Sequence, residues 1–240
     1  MDNELLALIY ATLYTESKLL LITEFPLYLP QFLVQYLSTI ELNLQLDTSQ
    51  NFQQQPRSDT LYMFFDVDEL HNDEQLQLAR FISQTRSICT CQFALNHSLL
   101  IQFDFAYQTP FKHPSPISLS HQISDSFQSL YDEVFIAPQL DIWIHQFLVK
   151  FSAIYIAKKE ESLFQLINAF DQIKILTKAI ALMKERDFVL LEDVKGALLS
   201  CMGHKVVAEA VCISREAAEG LKINEIGEVV RLVAGQCELQ

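Results

Sequence analysis

A run of large apolar residues that ends abruptly in acid constrains this chain more than any other stretch. Residues Thr60 to Phe65 read Thr-Leu-Tyr-Met-Phe-Phe, and Asp66-Val67-Asp68-Glu69 follows directly. An unbroken apolar run of this length is typical of a strand that is buried on both faces of a parallel sheet. In nucleotide-hydrolysing folds, a carboxylate at the end of such a strand holds Mg²⁺ or a catalytic water. The alternative is a core strand that leaves the sheet through a solvated acidic turn.

Glycine is confined to the last fifth of the chain, where all five glycines lie at or after Gly196 of 240 residues. A phosphate-cradling loop needs positive φ angles and close approach of the backbone, and glycine supplies both. The first 195 residues therefore contain neither G-x-x-x-x-G-K-[ST] nor G-x-G-x-x-G. This distribution argues against a standard glycine-loop nucleotide site.

The chain is strongly acidic, with a formal net charge of −13. Phosphate binding needs clustered Lys and Arg, and the longest basic run here is the pair Lys158-Lys159. The apolar run from Leu5 to Leu13 is too short to span a bilayer. We therefore expect no nucleic-acid partner and no membrane insertion.

Cysteine and histidine usage predicts an intracellular protein, cytoplasmic or nuclear, without a metal or other cofactor. The five cysteines are odd in number and form no Cys-x-x-Cys, and the six histidines lack metal-ligand spacing. The nearest approach to a reactive constellation is Cys89-x-Cys91 near His97, for which buried structural thiols are the favoured interpretation.

Strand and helix patterns alternate through about residue 136, which predicts a doubly wound parallel sheet. Helices are predicted at Asp2–Tyr14, Gln31–Thr39 and Asn72–Ser83, the last with Asn72 as its N-cap. The predicted strands are Lys18–Thr23, Leu42–Asp47, Thr60–Asp66, Ser98–Phe105 and Leu130–Ile136.

The pattern then becomes all-helical, which predicts a core domain over residues 1–138 and a helical domain over residues 139–240. The predicted helices are Leu140–Ala157, a long one from Leu163 to Ile180, Leu191–Ser200 and Asn224–Ala234.

Two loops of the core are candidate binding surfaces. The polar, Gln-rich segment Thr48–Arg57 is predicted to be an exposed, mobile loop that orders on a partner. The loop around Phe25, Tyr28 and Phe32 follows the first strand, where a phosphate would lie. Because aromatic side chains prefer burial, we expect these to fill that position.

One stretch of the C-terminal third has a sequence pattern specific enough to compare with a known protein family. Residues 179–195 read AIALMKERDFVLLEDVK, a helix that ends in Arg-Asp-aromatic-Val before Glu-Asp-Val starts the next helix. This stretch closely resembles the lid of AAA+ ATPases of the MoxR and magnesium-chelatase type. Residues 132–138, DEVFIAP, resemble the junction between core and lid in those proteins. The resemblance implies a P-loop-NTPase-like α/β core, with helices on both faces of its sheet, followed by the lid.

The resemblance also implies which catalytic parts are missing. It makes Thr60–Asp66 the Walker B strand and Ser98–Phe105 the sensor 1 strand, with Gln102 as a substitute sensor. Asp66 fits the metal-holding aspartate, but Val67 replaces the catalytic glutamate; the alternative register uses Asp68 and Glu69. The Walker A residues are absent. The arginine-finger position reads Asp125-Ser126-Phe127, and the sensor 2 arginine falls near Asn168.

A lid retained beside a dismantled nucleotide site implies a catalytically inactive AAA+-like protein. On this interpretation Asp66, Asp68 and Glu69 are a Walker B remnant, with no catalytic, nucleotide-binding or metal-binding residues. The resemblance implies a scaffold or adaptor whose partners are proteins, such as an AAA+ or other assembly subunit, and it admits homo-oligomers. The alternative is an ATPase subunit like that of magnesium chelatase, with a highly divergent nucleotide site.

Overall fold

The computed structural model describes residues 3–23, 28–39, 44–92, 95–108, 127–155, 162–213 and 230–237. The chain divides into two compact units, Met1–Ser129 and Leu130–Gln240. This division falls before the predicted boundary at residue 138, because Phe135 pairs with Phe188 of the second unit.

The first unit is built around a five-stranded sheet in which every pairing is parallel, in the order β2-β3-β4-β1-β5. The strands are β1 (Lys18–Ile22), β2 (Gln45–Asp47), β3 (Thr60–Phe64), β4 (Arg86–Cys91) and β5 (Phe105–Gln108). The helices are α1 (Asn3–Thr15), α2 (Tyr28–Thr39), α3 (Asn72–Ile82) and α4 (His97–Leu100).

The apolar stretch that opened the sequence analysis forms β3, and all five of its residues are buried. The rings of Tyr62 and Phe64 meet Phe81 of α3 edge-on, with centroids 4.9 and 5.8 Å apart. Helix α3 begins at Asn72 as predicted, but its N-cap is the preceding residue and not Asn72 itself. The N-cap is His71, whose backbone N–H donates to the carboxylate of Glu74 over 2.9 Å.

The predicted strand Ser98–Phe105 is wrong, since this segment forms α4 and a turn, and Phe105 only begins β5. The strand that occupies the centre of the sheet is instead β4, which sequence reasoning missed. A short apolar run fits a buried helix as well as a strand, and its periodicity does not decide between them.

The predicted strand Leu130–Ile136 is also wrong, because helix α5 (Phe127–Glu133) occupies most of it. Tyr131 and Val134 are buried while Leu130 is exposed, a spacing of three that suits a helical turn. Within the segment, Phe135 forms the isolated parallel bridge to Phe188.

The second unit is helical in its described parts. It contains α6 (Pro138–Tyr155), α7 (Ser162–Met183), α8 (Leu191–Ile213) and a helical segment at residues 230–235. Trp143, Phe147 and Phe151 of α6 are almost fully buried. Helix α8 continues past the predicted end at Ser200 and contains two glycines. Burial of Cys201 and Met202 offsets the low helix propensity of the glycines. The predicted N-cap Asn224 lies outside the described residues.

The helices of the described part of the chain do not combine the length and apolar character needed to cross a bilayer.

The turn between α7 and α8 is held by the buried carboxylate of Asp193. Its Oδ1 accepts hydrogen bonds from Lys184 Nζ at 2.8 Å and Arg186 at 2.7 Å, and its Oδ2 accepts the backbone N–H of Leu190 at 2.9 Å. Burial alone would raise the pKa of Asp193, but the hydrogen bonds from Arg186 and Lys184 lower it below its usual value. The Arg-Asp-aromatic-Val and Glu-Asp-Val motifs therefore have a folding role that is independent of any nucleotide.

We expect Asp193→Asn to lower the free energy of unfolding by about 2–4 kcal/mol at pH 7, because two cations lose their buried partner. A lowered pKa stabilises the fold above the unfolded value of about 3.9, and that contribution disappears as the pH falls through the folded pKa. The gap between wild type and variant should therefore close below about pH 4 in urea titrations. Glu192→Gln, at an exposed neighbour, serves as control and should change stability by less than about 0.5 kcal/mol. An equal loss in both variants would contradict this account.

Candidate functional site

The candidate site lies at the carboxyl ends of β1, β3 and β4. Ligands of open α/β sheets bind at the edge where connections leave adjacent strands in opposite directions. Here the connection from β1 runs towards β2, whereas the connection from β4 runs past β1 to β5. The residues that follow β1, β3 and β4 are therefore the candidates for a ligand-binding or catalytic site.

Asp66 lies two residues beyond the end of β3 in the left-handed region, with a φ of 52°. Its backbone N–H donates to the hydroxyl of Thr90 on β4 at 3.1 Å, and the next N–H, that of Val67, donates to the Thr90 carbonyl at 3.0 Å. Aspartate tolerates this conformation better than most residues. Thr90 thus fixes the point at which the acidic turn leaves the sheet.

The Asp66 carboxyl group occupies an unfavourable environment for a charge. Among the described residues, nothing forms a hydrogen bond with its buried Oδ1. Burial is the main cause that raises the pKa of Asp66, and the charges of Glu69 and Asp68 raise it further. Raised pKa values occur in both catalytic and structural settings, so this feature alone assigns no chemistry.

The neighbouring residues of the acidic turn serve the fold. Val67, at the position of the catalytic glutamate in the implied Walker B register, is completely buried. Asp68 accepts the backbone N–H of Gln92 at 3.2 Å, which ties the turn to the end of β4 a second time. Glu69 is exposed. The structure brings Asp66, Asp68 and Glu69 together, but whether they are a Walker B remnant stays a prediction.

Positive charge lies at the opposite edge of the sheet. Among the described residues of the first unit, the Lys and Arg residues are Lys18, Arg57, Arg80 and Arg86. Lys18 and Arg86 are the first residues of β1 and β4, where Lys18 pairs with Asp104 at 3.6 Å and Arg86 with Glu16 at 3.4 Å. Arg80 lies in the last turn of α3, which returns to that same edge. Arg57 lies in the loop before β3, and its charge helps to lower the pKa of Asp47 at the end of β2. The described residues that directly follow β1, β3 and β4 therefore present acid without a basic side chain among them.

The predicted sensor 1 position needs correction together with the predicted strand. Gln102 lies in the turn after α4, where its side chain donates to the carbonyl of Ser98 at 3.4 Å, so it does not end a strand. The strand next to β3 is β4, which carries Thr90 near its end and is followed by Gln92. A signal for β4 was present, since the polar turn after α3 precedes a short stretch containing Ile88 and Thr90.

Thiols and possible metal ligands are the remaining candidates for chemistry in the described part of the chain. Cys89 and Cys91 lie within β4, and burial raises the pKa of both thiols, which keeps them protonated. The side chain of His97 lies outside the described residues. The same part of the chain holds no cluster of three or more His, Cys, Asp or Glu side chains suited to a metal ion.

The Gln-rich loop Thr48–Arg57 is largely exposed, as predicted, but it is tied to the sheet. The side-chain amide of Gln50 donates to the carbonyl of Met63 at 2.9 Å and accepts the backbone N–H of Phe65 at 3.0 Å. This carboxamide continues the hydrogen bonding along β3 after its pairing with β2 ends at Tyr62. Gln50 is therefore held against the sheet, and mobility of the loop and its ordering on a partner stay predictions.

Other predicted positions are placed only in part. Phe25 and the neighbouring residues 24–27 lie outside the described residues, as do Asp125 and Ser126. Phe32 is half-buried in α2 and stacks on Tyr36, with ring centroids 6.0 Å apart. Asn168 is exposed on α7.

We expect Thr90→Val to lower the free energy of unfolding by about 1–2 kcal/mol, because the shape is kept while the N–H of Asp66 loses its acceptor. Chemical denaturation measures this loss. Thr12→Val is the matched control, since the buried Thr12 hydroxyl donates to a helix carbonyl and its removal leaves no backbone N–H without an acceptor. A control loss as large as that of Thr90→Val would count against the anchoring role.

Asp66→Asn should raise the free energy of unfolding at pH 7. A carboxyl group whose pKa is raised by folding destabilises the fold when ionised, and the penalty vanishes as the pH falls towards the unfolded value of about 3.9. The gain over wild type should therefore be largest at neutral pH and shrink on acidification, which denaturation series across pH would detect. Asparagine also suits a positive φ, but that effect does not depend on pH. A gain that is constant with pH would rule out the electrostatic explanation.

No protein-family model and no curated protein sequence matches this chain. Among solved structures, the chain is similar to the crystal structure of a protein from Cytophaga hutchinsonii ATCC 33406 described as a “putative ATPase”. The superposition has a TM-score of 0.66 at 14% sequence identity, and it covers 98% of this chain and 89% of that one. At this identity the likeness concerns the fold, so the chain has an AAA+-like, P-loop-NTPase-like α/β fold: a parallel sheet with helices on both faces, followed by a helical region.

Proposed function

We propose that the protein is a catalytically inactive AAA+-like protein, related to the MoxR and magnesium-chelatase ATPases, that acts as a scaffold or adaptor through protein contacts. The observation that carries the proposal is the charge of the carboxyl edge. Asp66, Asp68 and Glu69 gather there, and the described residues that directly follow β1, β3 and β4 include no Lys or Arg. Nucleotide phosphates bring several negative charges, and their binding needs opposing cations or oriented N–H groups.

The start of α2 offers a phosphate few N–H donors. Its first three residues are Tyr28, Leu29 and Pro30, and proline has no N–H. Leu29 is buried. The chain between β1 and α2, residues 23–27, contains neither glycine nor lysine. Helix N-termini bind phosphate through free N–H groups of the first turn, and this one is built to bury apolar surface.

The helical unit can persist without nucleotide chemistry, which supports an adaptor. Its resemblance to an AAA+ lid rests on residues that include Lys184, Arg186 and Asp193, and their hydrogen bonds stabilise the turn between α7 and α8. Selection for folding is therefore enough to retain them. The proposed partners are proteins, such as an AAA+ or other assembly subunit, or further copies of the chain.

Titration of the purified protein with a fluorescent ATP analogue in Mg²⁺ tests the catalytic loss. We expect no saturable binding up to about 1 mM, because the carboxyl edge repels the phosphates. Asp66→Ala and Asp59→Ala form a matched pair, since Asp59 is an exposed acid just before β3, at the other edge. Micromolar binding that Asp66→Ala abolishes and Asp59→Ala preserves would overturn the proposal.

The alternative proposal is an ATPase subunit with a highly divergent nucleotide site. The place of Asp66 just beyond β3 and the description of the similar structure as an ATPase favour it. On this alternative, the protein alone hydrolyses ATP in the presence of Mg²⁺. A phosphate-release assay that finds turnover above the background of the Asp66→Ala variant would support it.

A further inference from the structure

Three exposed apolar side chains of the second unit form one face, which we call the aromatic face: Phe135, Phe188 and Leu190. The N–H of Phe135 donates to the carbonyl of Asp187 at 2.8 Å, and the Phe135 carbonyl accepts the N–H of Val189 at 3.0 Å. Residues paired in this way project their side chains to the same side. Leu190 follows Phe188 by two positions, and both are exposed while Val189 between them is buried.

Burial confirms this alternation. Phe135, Phe188 and Leu190 are 60%, 45% and 43% exposed, whereas Val134 and Val189 are 2% and 5% exposed. The two valines fill the core while the two rings and the leucine face outward. Single exposed apolar residues are ordinary on protein surfaces, but apolar side chains that a backbone bridge places side by side can serve as a contact site.

Acidic residues predominate in the two segments that carry the aromatic face. The segments 130–137 and 184–193 contain six carboxylates and two cations. The carboxylates are those of Asp132, Glu133, Glu185, Asp187, Glu192 and Asp193, and all except Asp193 belong to exposed residues. The two cations, Lys184 and Arg186, are both bonded to Asp193. The rim therefore favours a partner that brings positive charge.

One ring already accepts a cation. The guanidinium group of Arg186 lies over the ring of Phe188, 5.8 Å from its centroid. A Lys or Arg side chain can interact with an aromatic face in the same manner. The apolar side chains and the acidic rim thus suit the same kind of segment.

We infer that the aromatic face docks a segment of a partner protein in which apolar anchors are flanked by Lys and Arg. A second copy of this chain is disfavoured because its net charge of −13 would oppose the acidic rim. An anionic membrane is disfavoured for the same reason. The inference rests on the proposed role in protein contacts and specifies the chemistry of the partner.

The test uses a fluorescein-labelled synthetic peptide in which Phe and Leu alternate with Lys and Arg, followed by fluorescence anisotropy. We expect saturable binding that weakens with rising salt, because screening reduces the attraction of the rim. The double variant Phe135→Ser/Phe188→Ser should raise the Kd at least about tenfold. Val149→Ser is the matched control, since Val149 is 66% exposed but lies on α6, and it should leave the Kd unchanged.

Two further probes decide the chemistry. A peptide with Glu in place of Lys and Arg, and one with Ser in place of Phe and Leu, should both bind at least about tenfold more weakly. The charge-reversal variant Glu185→Lys/Glu192→Lys leaves both rings in place and should also weaken binding of the basic peptide. This variant keeps the test decisive if the serine variants fail to fold.

Equal binding by wild type and the variants, or equal binding of the Ser-substituted peptide, would overturn the inference. So would self-association in sedimentation experiments that the Phe substitutions abolish, because the occupant would then be a second copy. The peptide assay contains no nucleotide, so its outcome is independent of the ATP titration. If the protein bound nucleotide and also bound the peptide, the proposed catalytic loss would be refuted, but the inference about the aromatic face would still hold.

Discussion

The parallel pairing of β1, β3 and β4 is the constraint on which the first unit depends. Since these strands run in one direction, every connection must leave at the carboxyl edge and return to the amino edge. Polar residues that follow different strands consequently meet at a single edge. Burial of the central strands then requires their backbone groups to find partners inside the protein, and the hydroxyl of Thr90 meets part of this need.

This constraint separates the two kinds of charge. The first residues of β1 and β4 are cations with carboxylate partners, whereas the turn after β3 is acidic. Such a distribution gives the described part of the carboxyl edge a negative potential, which favours cations and repels phosphates. The polar groups at this edge form hydrogen bonds with the backbone: the hydroxyl of Thr90 with the N–H of Asp66, and the carboxylate of Asp68 with the N–H of Gln92.

Sequence patterns predicted those elements whose apolar character is concentrated. β1, β3 and α3 are found close to their predicted places, and the acid after β3 lies at the predicted edge. Apolar character alone did not reveal β4, because this strand buries polar residues such as Ser87 and Thr90, which hydropathy scores as exposed. The more apolar stretch after it forms a helix and a turn instead. The partner of Asp66 depends on pairing between β3 and β4, which a single sequence does not specify.

The carboxamide of Gln50 has a consequence for how other proteins can approach the sheet. An edge with free N–H and C=O groups invites another chain to add a strand. Beyond Tyr62, where β2 no longer covers β3, Gln50 already satisfies the carbonyl of Met63 and the N–H of Phe65. A partner that reaches this end of the sheet must therefore recognise side chains, because the carbonyl of Met63 and the N–H of Phe65 are already hydrogen-bonded.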